Sequence, residues 1–433
     1  GYVRMPRAEA ERFEALHGPG TLLDDFLRPN GQQRVSLRVN VNAALDDRTD
    51  LDARVNYIRN DTRFITDGGG GGVITSAVRG PGYRDEQNGY SSTTPPAQTF
   101  ATKRDETVNR FVTSLTARWR PTDWLSFRGT AGLDHISSDR SGLSRAGEGE
   151  PPAQGVFDHV LLGGSNYTAD LAATATAPLS ERWTSATAVG VQYTRTNSTE
   201  LWSRALGLPP GGTGNTGGTT NTIRSTRSES YVLGAYVQQQ LALNNRLFLI
   251  AALRGDGGSA FGDDVSLAAY PKASVSWLIS EEPFMPRVDA LTSLRLRAAW
   301  GASGVQPRRA DVIPSYAYGT AVVDGQIVNS AVLDQIGNPD LKPERQRELE
   351  LGLDLELFGS RVGLEATYYN RVSHDALVTV NVFPSNGSFS RLENLGSVRN
   401  RGVEGSLRLG LVDARPVRWD VIVGGSYNQN RLL

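Results

Sequence analysis

The sequence predicts an all-β protein: a transmembrane antiparallel β-barrel with long extracellular loops. Three observations carry this. Side chains alternate between apolar and polar with period two over most of the chain, short and long connections alternate between the candidate strands, and Trp and Tyr gather near strand ends.

Residues 1–30 stand apart. Pro6 to Leu16 predicts a short helix that ends near His17-Gly18-Pro19-Gly20. From Val35 the period becomes two: Val35, Leu37, Val39 and Val41 alternate with Arg34, Ser36, Arg38 and Asn40, and Leu51, Ala53, Val55 and Tyr57 repeat the pattern beyond Asp46-Asp47. Phe111 to Trp119 and Leu125 to Leu133 pair across Pro121-Thr122-Asp123-Trp124, and Leu171 to Ala177 meets Trp183 to Tyr193 across Pro178 to Arg182. Tyr231 to Leu241 joins Leu247 to Leu253 across Asn244-Asn245, and Leu351 to Leu357 joins Val362 to Tyr368 across Gly359-Ser360. Val403 to Leu411 and Trp419 to Tyr427 form the last pair. With single strands near 270–279 and 293–300, this makes about fourteen candidate strands. The polar intervals 58–109, 134–166, 194–229, 301–345 and 371–397 are expected to be long loops on one rim, opposite the short turns. Trp119, Trp124, Trp183, Tyr193, Trp300, Tyr368, Tyr369, Trp419 and Tyr427 are expected in the aromatic girdles.

Composition narrows the function classes. There is no cysteine among 433 residues, so neither disulfides nor a thiolate metal cluster hold the chain. Forty-five Lys plus Arg against 46 Asp plus Glu leaves no basic surplus, and nucleic acid is not an expected partner. Mean hydropathy is −0.34, low for a membrane protein, but a wall with one polar face dilutes the average by construction. No stretch is long and apolar enough for a transmembrane helix. Gly1 opens no signal-peptide pattern, so the sequence is expected to be a mature part or a fragment.

Candidate chemistry is sparse. Gly68–Gly72 and Gly211–Gly218 lack the Lys-Ser/Thr and the helix of a phosphate loop. Arg254 to Gly262 holds acidic and glycine residues but not the alternating ligands of a calcium loop. His17, His135, His159 and His374 have neither metal-ligand spacing nor a catalytic partner, so no enzyme, cofactor or metal site is expected. Glu348, Glu350, Asp354 and Glu356 share one face of a strand. Arg34, Arg38, Arg54, Arg110, Arg118, Arg120, Arg128, Arg295 and Arg297, spread over several strands, are long charged groups that a hydrocarbon face would reject; these and the four carboxylates are expected to line the lumen. Tyr83, Tyr90, Phe100, Tyr316 and Tyr318 are candidate ligand contacts, because flat rings in long loops suit sugars or peptides. On residues alone, a passive porin and a soluble or surface-exposed β-rich binding protein stay open beside an active importer.

Three segments go further. Asn338-Pro339-Asp340-Leu341-Lys342-Pro343-Glu344 precedes one strand, Asn394-Leu395-Gly396 with Asn400-Arg401-Gly402-Val403-Glu404 leads into another, and Leu253 to Gly262 closes a third. Together they resemble the barrel of TonB-dependent outer-membrane receptors of the SusC/RagA kind, from residue 31 onward. Arg254-Gly255-Asp256-Gly257-Gly258-Ser259 departs from that kind by its extra glycines. The resemblance implies a barrel of about 22 strands closed by an N-terminal plug. Residues 31–433 would then be a partial barrel domain without plug or TonB-contacting segment, lacking roughly two strands before it and six after. It also implies a bacterial outer-membrane location among lipids, the partners TonB and a SusD-like lipoprotein, and a glycan or peptide substrate.

Overall fold

The computed structural model describes residues 7, 10–11, 14–15, 30–64, 73–83, 90–91, 102–146, 154–259, 267–305, 309–383 and 390–433. Among these, fourteen strands form one antiparallel sheet in which each pairs with its neighbours in chain order. They are β1 (Gly31–Asp46), β2 (Thr49–Arg63), β3 (Lys103–Thr122), β4 (Leu125–Ser144), β5 (Gly155–Pro178), β6 (Trp183–Leu208) and β7 (Thr220–Leu243). Then come β8 (Leu247–Gly258), β9 (Ala268–Leu278), β10 (Leu291–Val305), β13 (Glu344–Leu357), β14 (Val362–His374), β17 (Ser397–Ala414) and β18 (Val417–Leu432). These are the fourteen strands that the alternation predicts. Two small hairpins, β11 (Ser315–Val323) with β12 (Gln326–Gln335) and β15 (Leu377–Asn381) with β16 (Ser390–Asn394), lie outside the large sheet.

Period two sorts the two faces. In β7, Tyr231, Leu233, Ala235 and Val237 are exposed, whereas Val232, Tyr236 and Gln238 are half-buried and Gly234 is buried. An exposed apolar side beside a half-buried polar side is the outside and inside of a curved sheet. Register carries the apolar face from strand to strand: Val39 lies opposite Val55, Leu115 opposite Ala131, Leu171 opposite Val191, Val189 opposite Val237, and Leu296 opposite Leu353. In β3 the apolar band runs from Phe111 to Trp119, and it is edged at the short-turn side by Trp119 stacked on Phe127, with ring centroids 5.4 Å apart.

The short turns follow from their residues. Asn244 (φ 50°) and Asn245 (φ 55°) both sit in the left-handed region, the pair of conformations a type I′ hairpin turn requires and asparagine tolerates. Asp46 caps the β1–β2 turn by accepting from the Arg48 backbone N–H at 2.7 Å and the Thr49 hydroxyl at 3.1 Å.

Three expectations are corrected. The intervals 134–166 and 194–229 are mostly strand: β4 runs on to Ser144, β5 starts at Gly155, β6 reaches Leu208 and β7 starts at Thr220. With both faces wet there is no alternation to read, yet the ladder of backbone hydrogen bonds continues. The intervals 301–345 and 371–397 hold the two hairpins, and 58–109 holds helix α1 (Val73–Arg79). Tyr369 does not join a girdle: it pairs with Gly402 on the polar face, while Tyr368 faces out beside Val403. In residues 1–30, Arg7, Ala10, Glu11, Glu14 and Ala15 are helical, with Arg7 bonded to Glu11 at 2.9 Å.

Charge placed on the two faces should behave oppositely. Val191→Arg, mid-band on the apolar face, is expected to cost about 2–4 kcal/mol in a lipid bilayer, and Thr174→Arg on the polar face much less. Urea unfolding of the full-length protein in lipid vesicles measures both.

Candidate functional site: the polar face and its loop-side rim

Neighbouring strands meet on the polar face through cross-strand ion pairs. Arg118 reaches Asp52 at 2.5 Å, Arg120 reaches Asp50 at 2.6 Å, and Arg110 grips Asp134 through two bonds of 2.9 and 2.5 Å. Arg128 lies 3.4 Å from Asp170, Arg297 forms a two-pronged pair with Asp354 at 2.7 and 3.0 Å, and Arg371 holds Glu348 at 3.0 Å. These side chains are substantially solvent-exposed, so each pair adds little stability. Their effect is to fix long side chains in one arrangement over a wet surface.

Glycine makes room for the large groups. At Gly190 a Cβ would sit 2.5 Å from the Tyr236 ring, and at Gly352 it would sit 2.8 Å from the Arg297 guanidinium carbon. Gly234 takes Arg254 and Asp256, which pair at 2.7 Å while Arg254 also donates to Gln192 at 2.9 Å. Gly402 takes the Tyr369 ring, whose hydroxyl would lie 2.7 Å from a Cβ there. Large polar side chains thus lie across the next strand instead of filling the interior. Residue-type reasoning overlooked these sockets, although glycine at a polar-face position is a usable signal.

All nine predicted lumen arginines are on the polar face by register, and so are Glu348, Glu350, Asp354 and Glu356. Arg34, Arg38, Arg54 and Arg295 have no ion-pair partner among the described residues. The charges are segregated. Strands β1 to β4 carry the unpaired arginines Arg34, Arg38 and Arg54, whereas β13 to β17 carry Glu350, Glu365 and Glu404 beside the paired Asp354, Glu348 and Glu356.

The segment before β13 is a clamp. Asn394 donates to the carbonyls of Lys342 and Asp375 at 2.8 Å each and accepts from the Lys342 N–H at 2.8 Å. Asn338 donates to the Leu392 carbonyl at 3.0 Å and accepts from the Asp340 N–H at 3.2 Å. Leu341 is 1% exposed and Pro343 is fully buried beneath this network, in the turn that Pro339 helps form and Glu344 ends. Gly337 (φ 67°) and Gly396 (φ 76°) flank it in the left-handed region. The residues that carry the resemblance therefore bind hairpin β15–β16 to the start of β13. Further along β17, Asn400 accepts from Asn430 at 2.7 Å, Val403 joins the apolar face, and Glu404 faces inward near Arg297 and Glu365.

The aromatic candidates scatter. Tyr316 and Tyr318 share one face of β11 and are 55% and 85% exposed. Tyr83 is exposed and Tyr90 half-buried, both in the connection that holds α1, and Phe100 lies outside the described residues. The histidines bond across strands, His135 to Ser165 at 2.9 Å, His159 to Asp139 at 2.8 Å and His374 to Ser397 at 3.2 Å. Of the calcium-loop candidate, residues 260–262 lie outside the described residues and Asp256 is engaged by Arg254.

The family described as "TonB dependent receptor-like, beta-barrel" matches residues 40–431. TonB-dependent receptor P26 of Formosa agariphila is 26% identical over 434 aligned residues, covering 95% of this chain and 43% of the relative. TonB-dependent receptor SusC of Bacteroides thetaiotaomicron is 27% identical over 197 residues, 44% of this chain and 20% of that protein. Among solved structures, the RagAB peptide transporter superposes with a TM-score of 0.80 at 18% identity, over 93% of this chain and 47% of that one. The chain thus spans less than half the length of these relatives.

Two substitutions test the rim and the sockets. Asn394→Ala removes three hydrogen bonds, each worth about 1 kcal/mol net, and should speed tryptic cleavage at Arg391 while the wall keeps its heat stability on gels. Gly402→Ala forces a Cβ against Tyr369 and the Tyr427 carbonyl, and should lower the yield of folded protein by overpacking worth about 1–3 kcal/mol.

Proposed function

Because the chain belongs to the TonB-dependent receptor β-barrel family, we propose that it supplies wall and loop-side rim to an outer-membrane active importer of the SusC/RagA type. The observation that carries the reading is the family match over residues 40–431 on a sheet apolar outside and charged inside. In this reading residues 1–30 are a separate segment and 31–433 a part of the barrel domain. Oligosaccharides or peptides are captured at the long-loop side together with a SusD-like lipoprotein. TonB relays inner-membrane energy to a plug that the wall encloses, and the outer apolar band rests against lipid.

What supports an occupied rather than an open lumen is the inner face itself. Arg34, Arg38, Arg54 and Arg295 stand without ion-pair partners among the described residues; the first three lie on β1 and β2, and Glu350, Glu365 and Glu404 on the distant strands β13, β14 and β17. Such groups are available to charges on an enclosed domain or on cargo. Tyr316 and Tyr318, on one face of a strand at the rim, are the aromatic contacts best placed for cargo, ahead of Tyr83 and Tyr90. The chemistry asked of the chain is binding and passage; no step of it breaks a covalent bond.

Uptake separates active import from passive diffusion. In cells expressing the full-length protein, accumulation of labelled oligosaccharides or peptides should fall at least tenfold on deletion of TonB or addition of a protonophore. Uptake that persists at the same rate without TonB would mark a porin and sink the proposal.

A further inference from the structure

Beyond the apolar band the strands enclose a cavity of about 370 Å³ on the polar face, between β3, β4 and β5 with the end of β6. One cross-strand row forms its centre: Arg104 lies opposite Gly142, Gly142 opposite Asp158, and Asp158 opposite Arg204. Arg140, opposite Val160, belongs to the next row, and Phe64 adds an aromatic wall. Arg104 precedes Phe111, the loop-side end of the band, by seven positions, about 23 Å along a strand. The cavity therefore stands in water on the long-loop side.

Its charge is unbalanced. Asp158 is taken by Arg204 at 3.4 Å, whereas Arg104 and Arg140 have no ion-pair partner among the described residues. Glu106, opposite Arg140 in the register, accepts the Ser138 hydroxyl at 2.8 Å; counting it as well as Asp158 against the three arginines still leaves a positive surplus. The other charged groups at this level, Lys103, Asp105 and the Asp139–His159 pair, occupy alternate positions that face the other side of the sheet. Gly142 leaves the floor open: a Cβ there would lie 3.8 Å from both Arg104 and Asp158, ordinary contact. The volume suits one sugar ring or a comparable group. Hydroxyls of Thr102 and Ser144, 3.0 Å apart at the lining, match a hydroxyl-rich ligand better than a peptide.

We propose that this cavity is a subsite for the anionic group, carboxylate or sulfate, of an acidic oligosaccharide. Arg104 and Arg140 supply forked donors to the anion, and Phe64 offers a face to the sugar ring. The inference rests on the import reading and names a substrate class for it.

Isothermal titration of the full-length receptor in detergent tests it, with tetragalacturonate and a sulfated galactan tetrasaccharide as acidic probes, and maltotetraose and tetraglutamate as controls. At least one acidic sugar should bind, and its Kd should rise about tenfold in Arg104→Gln and in Arg140→Gln, the loss of one charge-assisted contact. Gly142→Leu, which fills the floor without touching a charge, should weaken binding similarly, and Arg104→Lys should restore part of it. Heat-modifiable migration on gels checks that each variant is folded. Which acidic sugar responds tells carboxylate from sulfate. Binding unchanged in all the folded variants, no binding of either acidic sugar, or a response confined to tetraglutamate would overturn the subsite. Where TonB-driven uptake of another cargo persists under such a result, the importer reading stands; where no cargo at all is taken up through TonB, the importer reading falls first and the subsite with it.

Discussion

Hydrocarbon leaves no water to satisfy a backbone N–H or carbonyl, and the sheet is organised around that constraint. A strand can enter the bilayer only if both its edges are paired. Antiparallel neighbours in chain order achieve this for the twelve inner strands of the sheet, because each strand begins where its partner ends. Once the ladder is fixed, side chains have only two directions. The period-two pattern is then forced: one direction meets lipid and must be apolar, and the other meets water and is free to be Arg, Asp, Gln or Thr.

The polar direction creates a second requirement. Long charged side chains that stood upright from every strand would crowd the inner space. Cross-strand pairs such as Arg110–Asp134 and Arg297–Asp354 lay them down, and glycines at 190, 234, 352 and 402 provide the surface on which they lie. The net energy of each pair is small at this exposure, so geometry rather than stability is what they secure. Substituting these glycines would disturb the inner surface without touching the lipid side.

How much was legible in the sequence follows from the same asymmetry. Where the two faces meet different solvents, as from Phe111 to Trp119 or Leu349 to Leu357, alternation exposes the strand and even its inward set. Where both faces are wet, the signal vanishes although the strand continues, which is why the stretch Gly155 to Ser165 and the hairpin β11–β12 read as loop. Tyr369 was misread because neighbouring aromatics must point opposite ways, so only one of Tyr368 and Tyr369 can reach the girdle. The segments Asn338 to Glu344 and Asn394 to Glu404 were legible as family resemblance, but their physical task was not. That task needed the register that sets Asn394 against Lys342, 52 residues away. The arginine cavity escaped for the same reason: Arg104, Arg140, Asp158 and Arg204 become neighbours only after three strand pairings are known.

Strand length links wall to recognition. A crossing needs roughly ten residues, whereas β5 and β6 have 24 and 26. The excess projects on the long-loop side, where it carries the same hydrogen-bond ladder into water. Side chains there are held on paired strands rather than on free loops, so their spacing is set by the 4.8 Å strand separation and the register rather than by loop conformation. A ligand that meets such a surface pays little to order it. The rim clamp around Asn394 extends the same logic to an accessory hairpin, tying β15–β16 to the first residues of β13 through side-chain bonds to backbone. The chain thus uses one structural device twice, first to satisfy its backbone in lipid and then to present fixed polar groups above it.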